Sequence, residues 1–303
     1  MSNPLKYIDC HTHAQFAAYK DDREEVIRRA IVQGVAMINV GTQRDTSKEA
    51  VDLARKYENV WVCVGLHPIH TEKSFHDEQE LGASPSTGSG FTSRGEDFDY
   101  EYYKKLALDD RVVAIGECGL DYYHVSQNIE HAAEIQKNQK KQKETFIKQI
   151  ELAFDVKKPL MIHCRGSASS PSDVFADLIE ILEENRNKLN DKPGIVHFFS
   201  GTTDHAEKLL DLGFYFTFGG VITFPPKAGQ RTGAYDEVIK MIPMERILSE
   251  TDAPYVTPEP YRGKRNEPAY VIYVVRKLAE LKGVSEEDMA VRILANAKEV
   301  FRF

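Results

Sequence analysis

Eight short apolar runs recur along the chain: Tyr7–Cys10, Val35–Val40, Val60–Gly65, Val112–Gly116, Pro159–Ile162, Gly194–Phe198, Phe214–Phe218 and Arg246–Leu248. They are rich in β-branched residues and continuously apolar instead of alternating, which is how strands buried on both faces read. Helix-like segments separate them: 22–33, 45–57, 99–108, 137–156, 172–185, 204–212, 235–241 and 267–282. Several of these open on Asp or Ser, and Gly34 and Gly213 stand where the first and sixth would stop. A last helix is predicted from Ser285 to Phe301, beginning with the capping-type sequence SEED. This rhythm over 303 residues predicts a (β/α)8 TIM barrel with an additional C-terminal helix, folded as a single domain over residues 1–303. The structural alternative, a doubly wound open sheet, would normally carry a glycine-rich nucleotide fingerprint. The sequence has no GxGxxG, Walker loop or GxSxG.

Two segments break the rhythm. Residues 82–95, GASPSTGSGFTSRG, are poor in apolar residues and predict a flexible insertion at about 82–96. Residues 124–143 are polar and become basic, which reads either as a solvated helix face or as a rim beside a phosphate-bearing substrate.

With 42% hydrophobic and 28% charged residues, the composition is that of an ordinary globular protein. No run approaches the length of a membrane span, and the N-terminus lacks a signal-peptide pattern. The four cysteines have no CxxC spacing and fall in or at the ends of predicted strands, as reduced residues of a cytoplasmic protein do. A net charge of −8 argues against a broad basic surface for non-specific nucleic-acid binding, but not against a local basic patch.

The candidate chemistry lies at strand ends. The first strand ends in His11 and His13, the third in His67, the fourth in Glu117 and Asp121, the fifth in His163 and Arg165, the sixth in His197, and the eighth in Glu250 and Asp252. In a barrel these ends gather at one mouth, where such enzymes have their active sites. One strand-end histidine is commonly a hydrogen-bonded structural residue, whereas a set converging on one mouth points to a binuclear metal site. Imidazole and carboxylate donors suit Zn²⁺ or Mn²⁺, with Mg²⁺ preferring more oxygen. Glu117 is the candidate bridge, and Asp252 can bind a metal and take a proton from water.

The segments IDCHTH, VGLHP, AIGECGLDYY, PLMIHCR, HFFSG and ETDAPY…RGKRNEP together resemble the TatD family of metal-dependent deoxyribonucleases, within the amidohydrolase superfamily. The resemblance implies that His11 and His13 bind one divalent ion with Asp252, and that Glu117 bridges to a second held by His163 and His197. It also implies a DNA substrate, single-stranded and shortened from its 3′ end. Phe198 departs from the family pattern, which has a small residue or cysteine there.

The expected reaction is hydrolysis of a DNA phosphodiester by a two-metal activated water, with Glu117 and Asp252 as the catalytic carboxylates and Mg²⁺, Mn²⁺ or Zn²⁺ as the ions. Arg165, Arg262, Lys264 and Arg265 are candidate phosphate contacts. His67 either touches substrate or braces the rim, while Tyr122 and Tyr123 either stack on bases or pack internally. No membrane and no obligate protein partner is expected. Two rivals stay open: another hydrolase on the same site, acting on an ester, amide, lactone or aminoacyl-tRNA, and a nucleic-acid-binding protein with a structural metal.

Overall fold

Each apolar run is a strand because its side chains are covered on both faces, by the barrel interior and by a helix. The computed structural model describes residues 4–72, 77–82, 95–123, 132–166, 173–226 and 233–303. The strands are β1 (Tyr7–Thr12), β2 (Val35–Val40), β3 (Val60–Val64), β4 (Val112–Asp121), β5 (Leu160–Arg165), β6 (Gly194–Val196), β7 (Tyr215–Phe218) and β8 (Ile247–Ser249). All neighbours pair in parallel, in the order of the chain. Closure runs through the segment after β8: Thr12 bridges Ala253, Asp252 N–H donates to the His11 carbonyl at 2.9 Å, and Ser249 Oγ donates to the Ile8 carbonyl at 2.9 Å. This is the (β/α)8 architecture the pattern predicts.

The helices are α1 (Arg23–Val32), α2 (Arg44–Ala54), α3 (Glu78–Leu81), α4 (Tyr100–Ala107), α5 (Ala132–Asp155), α6 (Val174–Glu184), α7 (Thr203–Asp211), α8 (Asp236–Met241), α9 (Val271–Lys282) and α10 (Glu286–Phe301). The predicted C-terminal helix is α10; Ser285 caps it by accepting from Asp288 N–H at 3.0 Å. Its buried Asn296 amide donates to the carbonyls of Met244 and Ile247, which ties the helix to the start of β8.

Several boundaries differ from the pattern, three of them with a consequence for the site or the helices beside it. β4 runs five residues past Gly116, because Glu117 and Asp121 are polar yet buried, and hydrophobicity alone ends the strand too early. The helix expected from Lys137 starts at Ala132, so residues 132–143 of the basic segment form its first turns. The helix expected from Glu267 begins as a short 3-10 turn at Pro268–Tyr270 before α9. Residues 83–94 of the expected insertion and residues 124–131 lie outside the described residues.

Candidate metal centre

At the end of β1 the pairing with β2 slips between Asp9 and Thr12, and the two imidazoles that follow turn to the barrel mouth. His11 Nε2 and His13 Nε2 stand 3.1 Å apart, both rings buried. His13 Nδ1 lies 2.7 Å from the Val40 carbonyl, to which it donates, so its Nε2 presents a lone pair. Asp252 follows β8 in a left-handed backbone conformation (φ 55°) and puts Oδ1 3.7 Å from His11 Nε2 and 3.5 Å from His13 Nε2. Its side chain is 19% exposed against 0% for His11, so it is the side of this group that solvent reaches. Asp9, in the same stretch, serves the backbone instead: it accepts from Thr251 N–H at 2.8 Å and from Thr251 Oγ1 at 2.5 Å.

Glu117 reaches both halves of the site. Its Oε2 lies 3.4 Å from His11 Nε2 and 3.9 Å from His13 Nε2. Its Oε1 lies 2.9 Å from His163 Nδ1 and 2.8 Å from His197 Nε2, and those two nitrogens are 3.1 Å apart. The register of β4 against β5 shifts between Ile115 and Cys118, which places Glu117 in the irregular stretch facing the mouth.

This donor set fits divalent ions. Two ligands about 2.1 Å from one tetrahedral ion stand roughly 3.4 Å apart; the spacings in the first half, 3.1 to 3.9 Å, bracket that value, and those in the second, 2.8 to 3.1 Å, are somewhat shorter. His11 Nδ1 and His197 Nδ1, the ring nitrogens turned away from these positions, are buried without a hydrogen-bond partner among the described residues. His11, His13 and Asp252 with Glu117 would hold one ion, and His163 and His197 with Glu117 a second.

The charges are arranged to keep an anion at the centre. Burial alone would raise the Glu117 carboxyl, yet the imidazoles gathered round it hold it well below its ordinary value. Burial likewise works against ionised Asp252, but the His13 hydrogen bond and the charges of His11 and His13 hold it low. His67 is pushed down to about 4 by burial and is a neutral imidazole at neutral pH. Its Nδ1 accepts from Ile69 N–H at 3.2 Å, which leaves the proton on Nε2, 3.2 Å from Glu117 Oε1.

The expected phosphate and base contacts divide. Arg165 is exposed at the end of β5 with its guanidinium 4.1 Å from the centre of the half-buried Tyr123 ring. Arg262 is exposed and lies over Phe224, and Lys264 is exposed beside Tyr261. Arg265 does not fit the expectation: it is bidentate to Asp22 at 2.9 and 2.5 Å, donates to the Ala18 carbonyl and lies over Tyr19, so its donor fork is used inside the protein. Tyr122 does not fit a stacking role either, being 0% exposed with its hydroxyl donating to Asp177 at 2.7 Å. For Tyr122 this is the internal packing that was the alternative to stacking, and for Arg265 it is a pairing with Asp22 that nothing local in the sequence announces.

Sequence reasoning gave no role to Asp121 and Glu250. Asp121 Oδ2 lies 3.0 Å from His163 Nε2, and Glu250 Oε1 lies 3.6 Å from His197 Nδ1. Strand alternation was the available signal for Asp121, since residues 117, 119 and 121 of one strand tend to share a face.

Residues 8–302 match the family described as TatD related DNase. The chain is 35% identical over 296 residues to the uncharacterized metal-dependent hydrolase YabD of Bacillus subtilis, covering 97% of this chain and 98% of that protein. It is 31% identical to the 3′-5′ ssDNA/RNA exonuclease TatD of Citrobacter rodentium, over 96% of this chain and 94% of that one. Among solved structures, the TatD homologue YJJV of Escherichia coli K12 superposes with a TM-score of 0.76 at 26% identity, covering 99% of both chains. A barrel whose strand ends bring five imidazoles around one buried glutamate, matched along nearly its whole length, belongs to the TatD family of metal-dependent hydrolases.

Proposed function

We propose that the protein is a two-metal phosphodiesterase that removes nucleotides from the 3′ end of single-stranded DNA. The observation that carries this reading is the division of Glu117: one oxygen faces His11 and His13, the other His163 and His197. A carboxylate shared between two imidazole pairs matches what two-metal hydrolysis of phosphate esters requires. The Citrobacter relative, named a 3′-5′ ssDNA/RNA exonuclease, supports nucleic acid as the substrate class and adds RNA as a second one to assay.

Divalent ions held here supply two things when bound: a more acidic water and neutralisation of phosphate charge. The protein's own groups do the rest. Asp252, ionised and partly exposed, accepts the proton of the attacking water. His67 offers a neutral N–H toward the site, suited to a phosphoryl oxygen. Arg165, Arg262 and Lys264, all exposed, hold the neighbouring phosphates, so the positive charge is local in a chain of net charge −8. Arg265 and Tyr122 have no part in this scheme. Cytoplasmic location remains our expectation; the structure adds that no described helix is long and apolar enough to cross a membrane.

The test is an end-labelled oligonucleotide assay with Mg²⁺ or Mn²⁺. A 5′-labelled single strand should shorten progressively from its 3′ end, and Glu117→Gln should lower the rate at least about 100-fold, since even outer partners of metal ligands are worth 10–100-fold. Turnover of esters or amides with intact DNA ends would point to another hydrolase. Binding of metal and DNA without cleavage would point to a non-enzymatic role.

A further inference from the structure

Asp121 lies at the end of β4, fully buried, four residues beyond Glu117 on the same strand. Its backbone is gripped from one side by Gln142 of α5: Asp121 N–H donates to Gln142 Oε1 at 2.9 Å, and Gln142 Nε2 donates to the Asp121 carbonyl at 3.1 Å. Gln142, itself buried, also donates to Asn138 Oδ1 at 3.1 Å. The carboxylate so placed meets His163 Nε2 at 3.0 Å, while the other ring nitrogen, Nδ1, faces Glu117 Oε1 at 2.9 Å and His197 Nε2 at 3.1 Å. We propose that Asp121 is a positioning residue that selects the tautomer of His163. By accepting from Nε2–H it leaves the Nδ1 lone pair aimed at the second cation position. The inference rests on the metal reading of the site and adds to it the group that orients one ligand.

An imidazole has two nitrogens, and a ligand ring works best when the outer one has a fixed acceptor. His13 has the Val40 carbonyl in that place, at 2.7 Å. His163 has Asp121, a full carboxylate, whose charge makes the hydrogen bond stronger and the ring a better donor to a cation.

His67, Asp121 and His163 also lie close enough together to suggest a third ion among them. The hydrogen bonds argue against it. His67 Nδ1 accepts from Ile69 N–H, so its Nε2 carries the proton and has no lone pair to give. His163 could turn Nε2 to such an ion only if Nε2 lost the proton that Asp121 accepts. Each nitrogen is used once if Asp121 is an acceptor, and one is used twice if it is a ligand.

The experiment compares wild type, Asp121→Asn and Asp121→Ala, each checked for a folded circular-dichroism spectrum, by calorimetric Zn²⁺ titration and by ¹⁵N NMR of the histidine rings in the Zn²⁺-loaded proteins. Wild type should bind two ions and show His163 with a protected Nε2–H and a metal-shifted Nδ1. Asp121→Ala should weaken one of the two ions by about 10–100-fold and lose the protected Nε2–H. Asp121→Asn, whose amide oxygen still accepts, should keep the Nε2–H at a shifted frequency and recover most of the affinity. If the alanine variant does not fold, the asparagine variant decides: an unchanged His163 spectrum with unchanged affinity overturns the proposal. Wild-type affinity for both ions in Asp121→Ala overturns it too, as does a count of three ions in wild type and two in the variant. A wild type that binds no ion would instead contradict the metal reading itself.

Discussion

At Glu117 one carboxylate oxygen faces His11 and His13 and the other His163, His197 and His67, and Asp252 approaches only the first pair. The two acids should therefore fail differently. Asp252→Asn should lower kcat by about 10²–10⁴-fold, the worth of a positioned general base, while the His163–His197 half keeps its ion. Single-turnover rates together with metal counting check this; loss of both ions would assign Asp252 a purely structural role. That His11, His13, Glu117, His163, His197 and Asp252 would be neighbours was legible, because the ends of parallel strands gather at one mouth once a barrel is recognised. Arg265 and Tyr122 were not, since nothing local to RGKR or DYY announces that Asp22 and Asp177 take up their polar groups. Phe198, odd as a residue type, is also odd in conformation (φ 45°), and its ring lies where a side chain on Gly219 would have to go.

The strand that carries Glu117 shows how elements place side chains. Gly119 of β4 has φ 126°, and a Cβ there would stand 2.1 Å from the His163 carbonyl on β5. Gly119→Ala must strain its own backbone and push these strands apart, so it should destabilise the fold by more than about 2 kcal/mol, seen as a lower midpoint in urea. An unchanged midpoint would mean the two strands are not held this close. The short helix α3 is tied down by a buried pair that the sequence did not reveal: Glu80 accepts from Thr42 Oγ1 at 2.5 Å and from Gln43 Nε2 at 2.7 Å, and lies 3.1 Å from His70 Nε2. Burial works against the Glu80 charge, but His70 and these donors hold its carboxyl down at about 2, against an ordinary 4.5. A depressed carboxyl contributes stability above pH 4.5 and loses it as pH falls toward 2, on the order of 3 kcal/mol for the full shift. His70, raised above its ordinary 6.5 by Glu80 despite burial, contributes fully below pH 6.5 and less above its raised value. The stability gap between wild type and Glu80→Gln should thus be widest between pH 4.5 and 6.5 and close toward pH 2. A gap that does not vary with pH would show that the pair is not ionised. Strand number and order were readable from apolar runs; the reach of β4 and the clasp on α3 were not, because both depend on polar residues buried by partners distant in sequence.

For the whole molecule, the site is where the barrel closes. Asp9, His11, Thr251 and Asp252 join the first and last strands through hydrogen bonds, and Asp252 and both histidines also belong to the candidate metal centre. An ion bound there would link the two ends of the sheet. Removal of metal with a chelator should lower global stability by about 2.7 kcal/mol per site for ions supplied at 100 times their Kd, and re-addition should restore it. Chemical denaturation with and without chelator measures this, and no difference would show that folding and metal binding are uncoupled. The central claim, that Glu117 is shared by two cations, is tested most directly by anomalous diffraction from crystals loaded with Mn²⁺. Two peaks are predicted, one between Glu117, His11 and His13 and one between Glu117, His163 and His197. A single peak, or two peaks of which only one touches Glu117, would contradict it.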